Sequence, residues 1–268
     1  MRLSEINIYP IKSLSGIGLE ESVIEDRGLV NDRRWMLIDD NRKFITQREF
    51  PRMATIKVSV SDVSVTASAG ADSLAIPFAP ETGETLNVKI WSSTVKAKIY
   101  NGEINAWFSE KLGTNCRLAM MPEESRRKVN PFYAVRRFED TVSFADGYPF
   151  LLIGQASLDD LNSRLAEPLP MNRFRPNFVI EGSEPFAEDT WKKIRIGETV
   201  FHIVKPCARC VITTVDQETG EKGKEPLKTL AAYRNRRGKV LFGQNLIADA
   251  AGSRIRVGDT VEIIEPLS

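Results

Sequence analysis

The sequence predicts a β-rich α+β protein in two parts. An N-terminal barrel-like domain covers residues 1–122, and a second domain, residues 123–268, is built on a curved or closed sheet with a few helices. Three observations carry this reading. Apolar and polar residues alternate through much of the chain, helical spacing is confined to three short stretches, and two rhyming segments, IRIGETVFHI and IRVGDTVEII, read as tight hairpins. In the first part, Ile56, Val58 and Val60, then Leu86, Val88 and Ile90, recur every second residue as half-buried strands do. Arg33, in the run DRRW, is expected in a strand with Trp35, Leu37 and Ile38, so one of the paired arginines must point inward or along a cleft. Arg34 is expected as its solvated neighbour. Ile104, Trp107, Phe108 and Leu112 share a helical face that begins near Asn101 and stops at Gly113. The polar run EESRRKVN, residues 123–130, reads as an exposed linker or loop and supplies the boundary. Beyond it, Ser157 reads as the cap of a second helix, with Leu158, Leu161 and Leu165 on one face and Asp160 three residues after the cap. The two hairpins, residues 194–203 and 255–264, suit a strongly curved sheet. Residues 211–215, VITTV, read as a strand, and a third helix is expected from Pro226 to about Arg234.

Composition narrows the class. With 42% hydrophobic residues in a chain of 268, a substantial core can form and two domains have room. Lysine and arginine (37) nearly cancel aspartate and glutamate (36), so nothing points to nucleic acid or a membrane surface as a partner. The first residues alternate instead of forming the apolar stretch of a secretory signal, and nowhere do ~18 apolar residues run together as a spanning helix needs. A cytoplasmic protein is expected. Three cysteines, an odd number, fit a reducing compartment.

The most informative segment is KPCARCVITTVDQETG, residues 205–220, where Cys207 and Cys210 stand three apart in a basic turn. Positive charge from Lys205 and Arg209 favours an ionised sulfur, which is both a nucleophile and a soft-metal ligand. Structural zinc usually takes two short-spaced ligand pairs, whereas this chain offers Cys116, Cys207, Cys210 and the single His202. A redox dithiol normally opens a helix, not a β-branched run. An iron–sulfur cluster usually needs four thiolates and a c-type haem a His after the second Cys, where Val211 stands, so neither cofactor fits. Spacing leaves two readings open: a buried structural pair, or one reactive thiolate completing a site supplied mostly by something else.

Other residues gain meaning as a group. Lys12 and Ser13 lie where a strand gives way to a turn and could present an ammonium and a hydroxyl to an anion such as phosphate. Arg175 and Asn177 flank Pro176 in a segment expected to be rigid and extended, a donor-rich pair for a polar heterocycle or phosphate. Asp216 is a candidate acid–base group or a turn residue before Gly220. His202 sits mid-strand and is the only histidine, which argues against a Ser-His-Asp hydrolase or a His-rich metal centre.

Several motifs in order carry a resemblance: YPIKS from Tyr9, DRRW from Asp32, TQRE from Thr46, DGYP from Asp146, NRFRPN from Asn172, and the cysteine turn. Across nearly the whole chain this series resembles the MOSC family with its N-terminal β-barrel domain, in particular the branch of the mitochondrial amidoxime-reducing component and its bacterial relatives. The resemblance implies a molybdenum–molybdopterin cofactor with one dithiolene, the metal held by the Cys210 thiolate and Cys207 a supporting neighbour. Lys12, Ser13, Arg33, Asp146, Gly147, Tyr148, Arg175, Asn177 and Arg209 match positions that surround the cofactor. It further implies reduction of N-hydroxylated substrates (amidoximes, hydroxylamines, N-hydroxylated bases) with electrons from a separate ferredoxin-, flavin- or cytochrome-type redox protein. Since the first motif begins at Tyr9 and the chain ends soon after its last hairpin, a soluble bacterial-type form without its own electron-transfer domain is expected. The rival reading is a carrier of cofactor, or of sulfur as a Cys210 persulfide. A pyridoxal phosphate role ranks low, because it needs a Schiff-base lysine for which Lys12 or Lys205 is only a formal candidate.

Overall fold

Leu3, Ile6 and Ile8 come to share one face of the strand Arg2–Ile8 because a bulge between Leu3 and Glu5 shifts the alternation, and that face must be covered. The second half of the chain covers it. In the computed structural model, which describes residues 1–267, the main sheet runs in the order Val261–Pro266, Trp191–Ile196, Thr199–Ala208, Lys239–Ala248, Phe150–Gly154, Phe178–Glu181, Arg2–Ile8, Ile17–Leu19. It curls into a half-barrel. All neighbours on this path are antiparallel except Phe150–Gly154 beside Phe178–Glu181, where the connection carries a helix, as a parallel crossover requires. Phe150, Phe178 and Phe201 meet at the centre with ring centroids 5.4–5.5 Å apart.

The rest of the N-terminal region wraps a second core. A four-stranded sheet (Trp35–Ile38, Arg117–Met120, Ser93–Ile99, Thr85–Ile90) and a meander (Lys57–Val60, Ser64–Ala69, Asp72–Pro77) enclose Leu37, Val65, Ile76 and Leu118. Helix α1 (Gly102–Leu112) closes this core with Ile104, Phe108 and Leu112. Asn101 Oδ1 caps it by accepting the Ile104 N–H at 3.1 Å, and Gly113 ends it at φ 67. The protein is therefore the β-rich α+β molecule expected, with three α-helices among the described residues. None of them is long and apolar enough to cross a membrane.

Several local expectations are corrected. Residues 211–215 do not form a strand: Val211–Thr214 is a 3-10 turn, in which the Thr213 hydroxyl donates to the Cys210 carbonyl (3.0 Å) and the Thr214 hydroxyl to that of Val211 (2.8 Å). Threonine hydroxyls that bond back three residues compete with a sheet ladder. Helix α2 (Gln155–Asn162) starts at Gly154, not Ser157. The Ser157 hydroxyl donates instead to the buried Glu188 carboxylate, at 2.8 Å to Oε1. Helix α3 (Leu227–Tyr233) lies where expected. Residues 194–203 do form a hairpin, but residues 255–264 do not: Arg254–Arg256 pairs with Glu21–Glu25, while Val261–Pro266 pairs with Trp191–Ile196. Arg33 lies in the turn before Trp35–Ile38 at φ 49. Arg34 is buried, donating to Met121 O and pairing with Glu25 and Glu123. The run 123–130 is a loop, as one reading had it, but not an exposed one throughout, since Arg127 is buried and donates to Ser143 O (2.9 Å), Ala145 O and Asp146 O (2.8 Å).

Candidate functional site

Two irregularities in one strand build the cysteine turn. Thr199–Ala208 shifts register against Lys239–Ala248 between Ile203 and Lys205, and again between Pro206 and Ala208. Pro206 lacks the N–H that a regular ladder would use, so the strand bends there and the turn is re-aimed. Gly243 stands opposite at φ 76, where a Cβ would come within 2.7 Å of Leu152 O. Arg209 uses that space: its N–H bonds Val240 O, its Nε Phe242 O (2.8 Å) and its Nη1 Phe174 O (2.9 Å). Its Nη2 is buried with no hydrogen-bond partner among the described residues. An unpaired buried guanidinium donor carries a desolvation cost that an incoming acceptor would remove.

Cys210 opens into a cleft that encloses about 830 Å³ when its solvent-filled mouth is included. All of the cofactor-binding candidates line it. Lys12 and Ser13 come from the turn after Arg2–Ile8, and Asp146, Gly147 and Tyr148 from the loop that Arg127 holds. Arg175 and Asn177 come from the segment before Phe178–Glu181. Arg175 is at φ 55, not extended as expected. Asp216 is not brought to the cleft. Its Oδ1 accepts the N–H groups of Glu218 and Thr219 (both 2.9 Å) and its Oδ2 pairs with Arg173, so these bonds hold its carboxyl below the usual range and give it a turn role.

One wall is strongly basic. The guanidinium groups of Arg33 and Arg175 sit 4.3 and 4.1 Å from the centre of the Tyr9 ring, which spaces two like charges with π-density. Arg33 is fixed by the fully buried Asp32 (3.0 and 2.8 Å), by Asn177 Oδ1 (3.2 Å) and by the Arg175 carbonyl (3.2 Å). Asn177 is thus spent largely on the protein, and its Nδ2 also donates to Asn7 O at 3.0 Å. Burial pulls Arg175 down to about 10, and the same burial pushes the Tyr9 phenol up to about 12 against the pull of the two arginines.

The other wall is mixed. Burial draws the Lys12 ammonium down to about 8, opposed by its ion pair with Asp146. Desolvation opposes ionisation of Asp146, yet Lys12, the Trp91 indole and Arg48 hold its carboxyl below the usual range. With 60% of the Asp146 side chain open, solvent screens the energetic weight of that pairing. Burial pushes the Cys207 thiol up, with Arg209 opposing, so Cys207 favours the protonated form while Cys210 is exposed. The charge touching Cys210 is not the one expected. Lys205 lies over the Tyr133 ring (4.2 Å) and Arg209 is committed to carbonyls, whereas Arg48 Nη1 comes within 3.7 Å of the Cys210 sulfur.

Sequence reasoning missed Arg48, Trp91, Tyr9 and Arg127 as contributors. Arg48 and Tyr9 belong to the quoted TQRE and YPIKS motifs, but Trp91 lies outside every quoted motif. Cys116 is buried in the N-terminal core beside Ser109, and His202 bonds Asp249. Among the described residues no three His, Cys, Asp or Glu side chains gather as a metal site. A metal here would depend on the cleft cysteines Cys207 and Cys210 together with ligands from another molecule.

Residues 139–262 match the model of the MOSC domain, and residues 1–115 that of the MOSC N-terminal beta barrel domain. The chain belongs to the MOSC family. Along 98% of its length this MOSC protein is 35% identical to mitochondrial amidoxime-reducing component 1 of Mus musculus, covering 82% of that relative. It is 34% identical to mitochondrial amidoxime reducing component 2 of Rattus norvegicus, over 97% of this chain and 82% of the relative. Molybdenum cofactor sulfurase of Oryza sativa subsp. japonica is 32% identical over 91% of the MOSC chain, which spans 32% of that longer protein.

Proposed function

We propose that the cleft holds a molybdenum–molybdopterin cofactor with one dithiolene and that the protein reduces N-hydroxylated small molecules. The observation that carries this is Cys210, an exposed sulfur facing a cleft whose walls bear Arg33, Arg175 and the unpartnered Nη2 of Arg209. The donor set fits the group. A lone soft sulfur suits molybdenum that brings its own dithiolene, and fixed cations with a free N–H suit a phosphate-bearing pterin. Relatives named as amidoxime-reducing components point the same way.

Cys210 would ligate the metal, with Cys207 a protonated neighbour. Arg33 and Arg175, locked by Asp32 and Tyr9, present positive charge without reorganising, and Arg209 donates Nη2 to an acceptor on the pterin. When bound, the cofactor supplies the two-electron chemistry that breaks an N–O bond. The balance is two electrons and two protons per substrate, with the oxygen leaving as water and the amidine or amine released. Lys12 Nζ, poised at about 8 and bonded to Asp146 Oδ1, holds a proton at the cleft wall near neutral pH. Electrons come from a separate ferredoxin-, flavin- or cytochrome-type protein.

Elemental analysis of protein made in a cofactor-competent host tests the reading. Stoichiometric molybdenum is expected in the wild type and in Cys207→Ala, and its loss in Cys210→Ala. An exposed sulfur also suits a persulfide carrier, a reading in line with the cofactor sulfurase relative. Metal-free wild type bearing a Cys210 persulfide by mass spectrometry would establish the carrier and overturn the reductase.

A further inference from the structure

The turn between Thr85–Ile90 and Ser93–Ile99 has two residues, since Ile90 pairs with Ser93, and its first is Trp91 at φ 53. Glycine or asparagine is the ordinary occupant of such a position, and a bulky aromatic there is an outlier that the surroundings must hold. They do so in three ways. The indole Nε1 donates to Asp146 Oδ1 at 3.2 Å, Arg48 lies 4.7 Å from the ring centre, and Phe44 packs against it at 5.1 Å and 56°. Even so, 51% of Trp91 remains exposed. Arg48 also reaches the Cys210 sulfur at 3.7 Å, so indole and sulfur lie within the span of one guanidinium. Both the Lys12 and Trp91 bonds land on Asp146 Oδ1, and among the described residues no hydrogen bond falls on Oδ2.

We propose that Trp91 and Asp146 Oδ2 form a substrate selector at the cleft mouth. A flat, conjugated N-hydroxylated substrate, such as an aromatic amidoxime, stacks its π-face on the indole and gives an amino N–H to Oδ2. An aliphatic hydroxylamine has no π-face to stack and gains little from the same lip. Arg48 is a positioning residue that keeps the indole beside the sulfur. The inference rests on the proposed reduction of N-hydroxylated substrates and names the class preferred there. A strained aromatic that is pinned from several sides yet left half open points to presentation to a ligand, because strain of this kind persists where the surroundings hold it for function.

The experiment compares wild type, Trp91→Ala and Trp91→Phe with benzamidoxime and N-methylhydroxylamine, at measured molybdenum content. In Trp91→Ala, kcat/KM for benzamidoxime is expected to fall about tenfold or more, as loss of a stacking partner predicts, while that for N-methylhydroxylamine stays within about threefold. Trp91→Phe, which keeps a π-face, is expected to retain most of the preference. Equal changes for both substrates in Trp91→Ala, including none, overturn the selector. Independently of turnover, benzamidoxime is expected to quench tryptophan fluorescence saturably in wild type and not in Trp91→Phe, and identical quenching in both overturns it. Molybdenum-loaded wild type that reduces neither substrate refutes the reductase reading instead, and the quenching comparison then decides the role of Trp91 alone.

Discussion

Lys12 is the residue whose environment has the plainest solution consequence. The folded protein holds its ammonium at about 8, against 10.5 for an unperturbed lysine, because burial disfavours the charge more than Asp146 supports it. Between those values the unfolded chain binds more protons at this site than the folded one, so this residue makes stability rise with pH from about 8 to about 10.5. Below about 8 the full cost of the buried charge is present. Chemical denaturation across this range should show wild type gaining on Lys12→Met as pH rises, and a constant difference would refute the assignment. The Asp146 carboxyl also shifts downward but for a different reason: burial opposes its ionisation, and Lys12, Trp91 and Arg48 together outweigh that by favouring the charge. The pair keeps a proton donor and an ionised acceptor side by side in the cleft.

Among the elements, the strand Lys239–Ala248 positions more of the site than any motif suggested. It pairs with Thr199–Ala208 on one side and Phe150–Gly154 on the other, and Gly243 lets these neighbours close in behind the cysteine turn. A Cβ at Gly243 would sit 2.6 Å from Ile153 Cγ1, 2.7 Å from Leu152 O and 3.4 Å from Arg209 Nη2. Backbone cannot yield as a flexible side chain can, and φ 76 adds conformational strain. Gly243→Ala is expected to destabilise the protein by roughly 3 kcal/mol in urea unfolding. It should also displace Arg209 and, on the proposed function, lower molybdenum content. Wild-type stability in this variant would mean that the strand relaxes freely.

The whole molecule is more interlocked than two consecutive domains imply. Leu3, Ile6, Ile8, Ile24 and Leu29 from the N-terminal region are buried in the same core as Phe150, Phe178, Phe201, Ile255 and Val261. At about 1.5–3 kcal/mol for each buried aliphatic side chain, those five contribute on the order of 10 kcal/mol, which is comparable to the entire stability of a typical domain. The cleft is likewise shared, with Lys12, Ser13 and Arg33 from the first region and Arg175, Arg209 and Cys210 from the second. Residues 123–268 expressed alone are therefore expected to show no cooperative thermal transition, while the full chain does. A folded, cooperative fragment would show that the first strands are dispensable. The domain division is best read as a proposal about sequence units, with a folding unit that crosses it.

Period-two alternation, the Asn101 cap with Gly113, and the helical start after Pro226 were legible because each is a local backbone matter decided within a few residues. The cleft residues were legible because short motifs preserve residue types in order, and all but Asp216 meet in one place. Local signals failed where a distant partner decided the outcome. Ser157 looked like a cap until Glu188 claimed its hydroxyl, Arg34 looked solvated until Glu25 and Glu123 enclosed it, and the second rhyming segment looked like a hairpin until its halves found different sheets. By itself the sequence determined the β-rich class, the helices and the chemical inventory of the cleft, since periodicity and residue type travel with the chain. Only the tertiary structure decided that Arg48 touches Cys210, that the Trp91 indole bonds Asp146 and that Arg209 Nη2 has no partner among the described residues. Those facts depend on contacts between residues far apart in sequence, which no local pattern encodes.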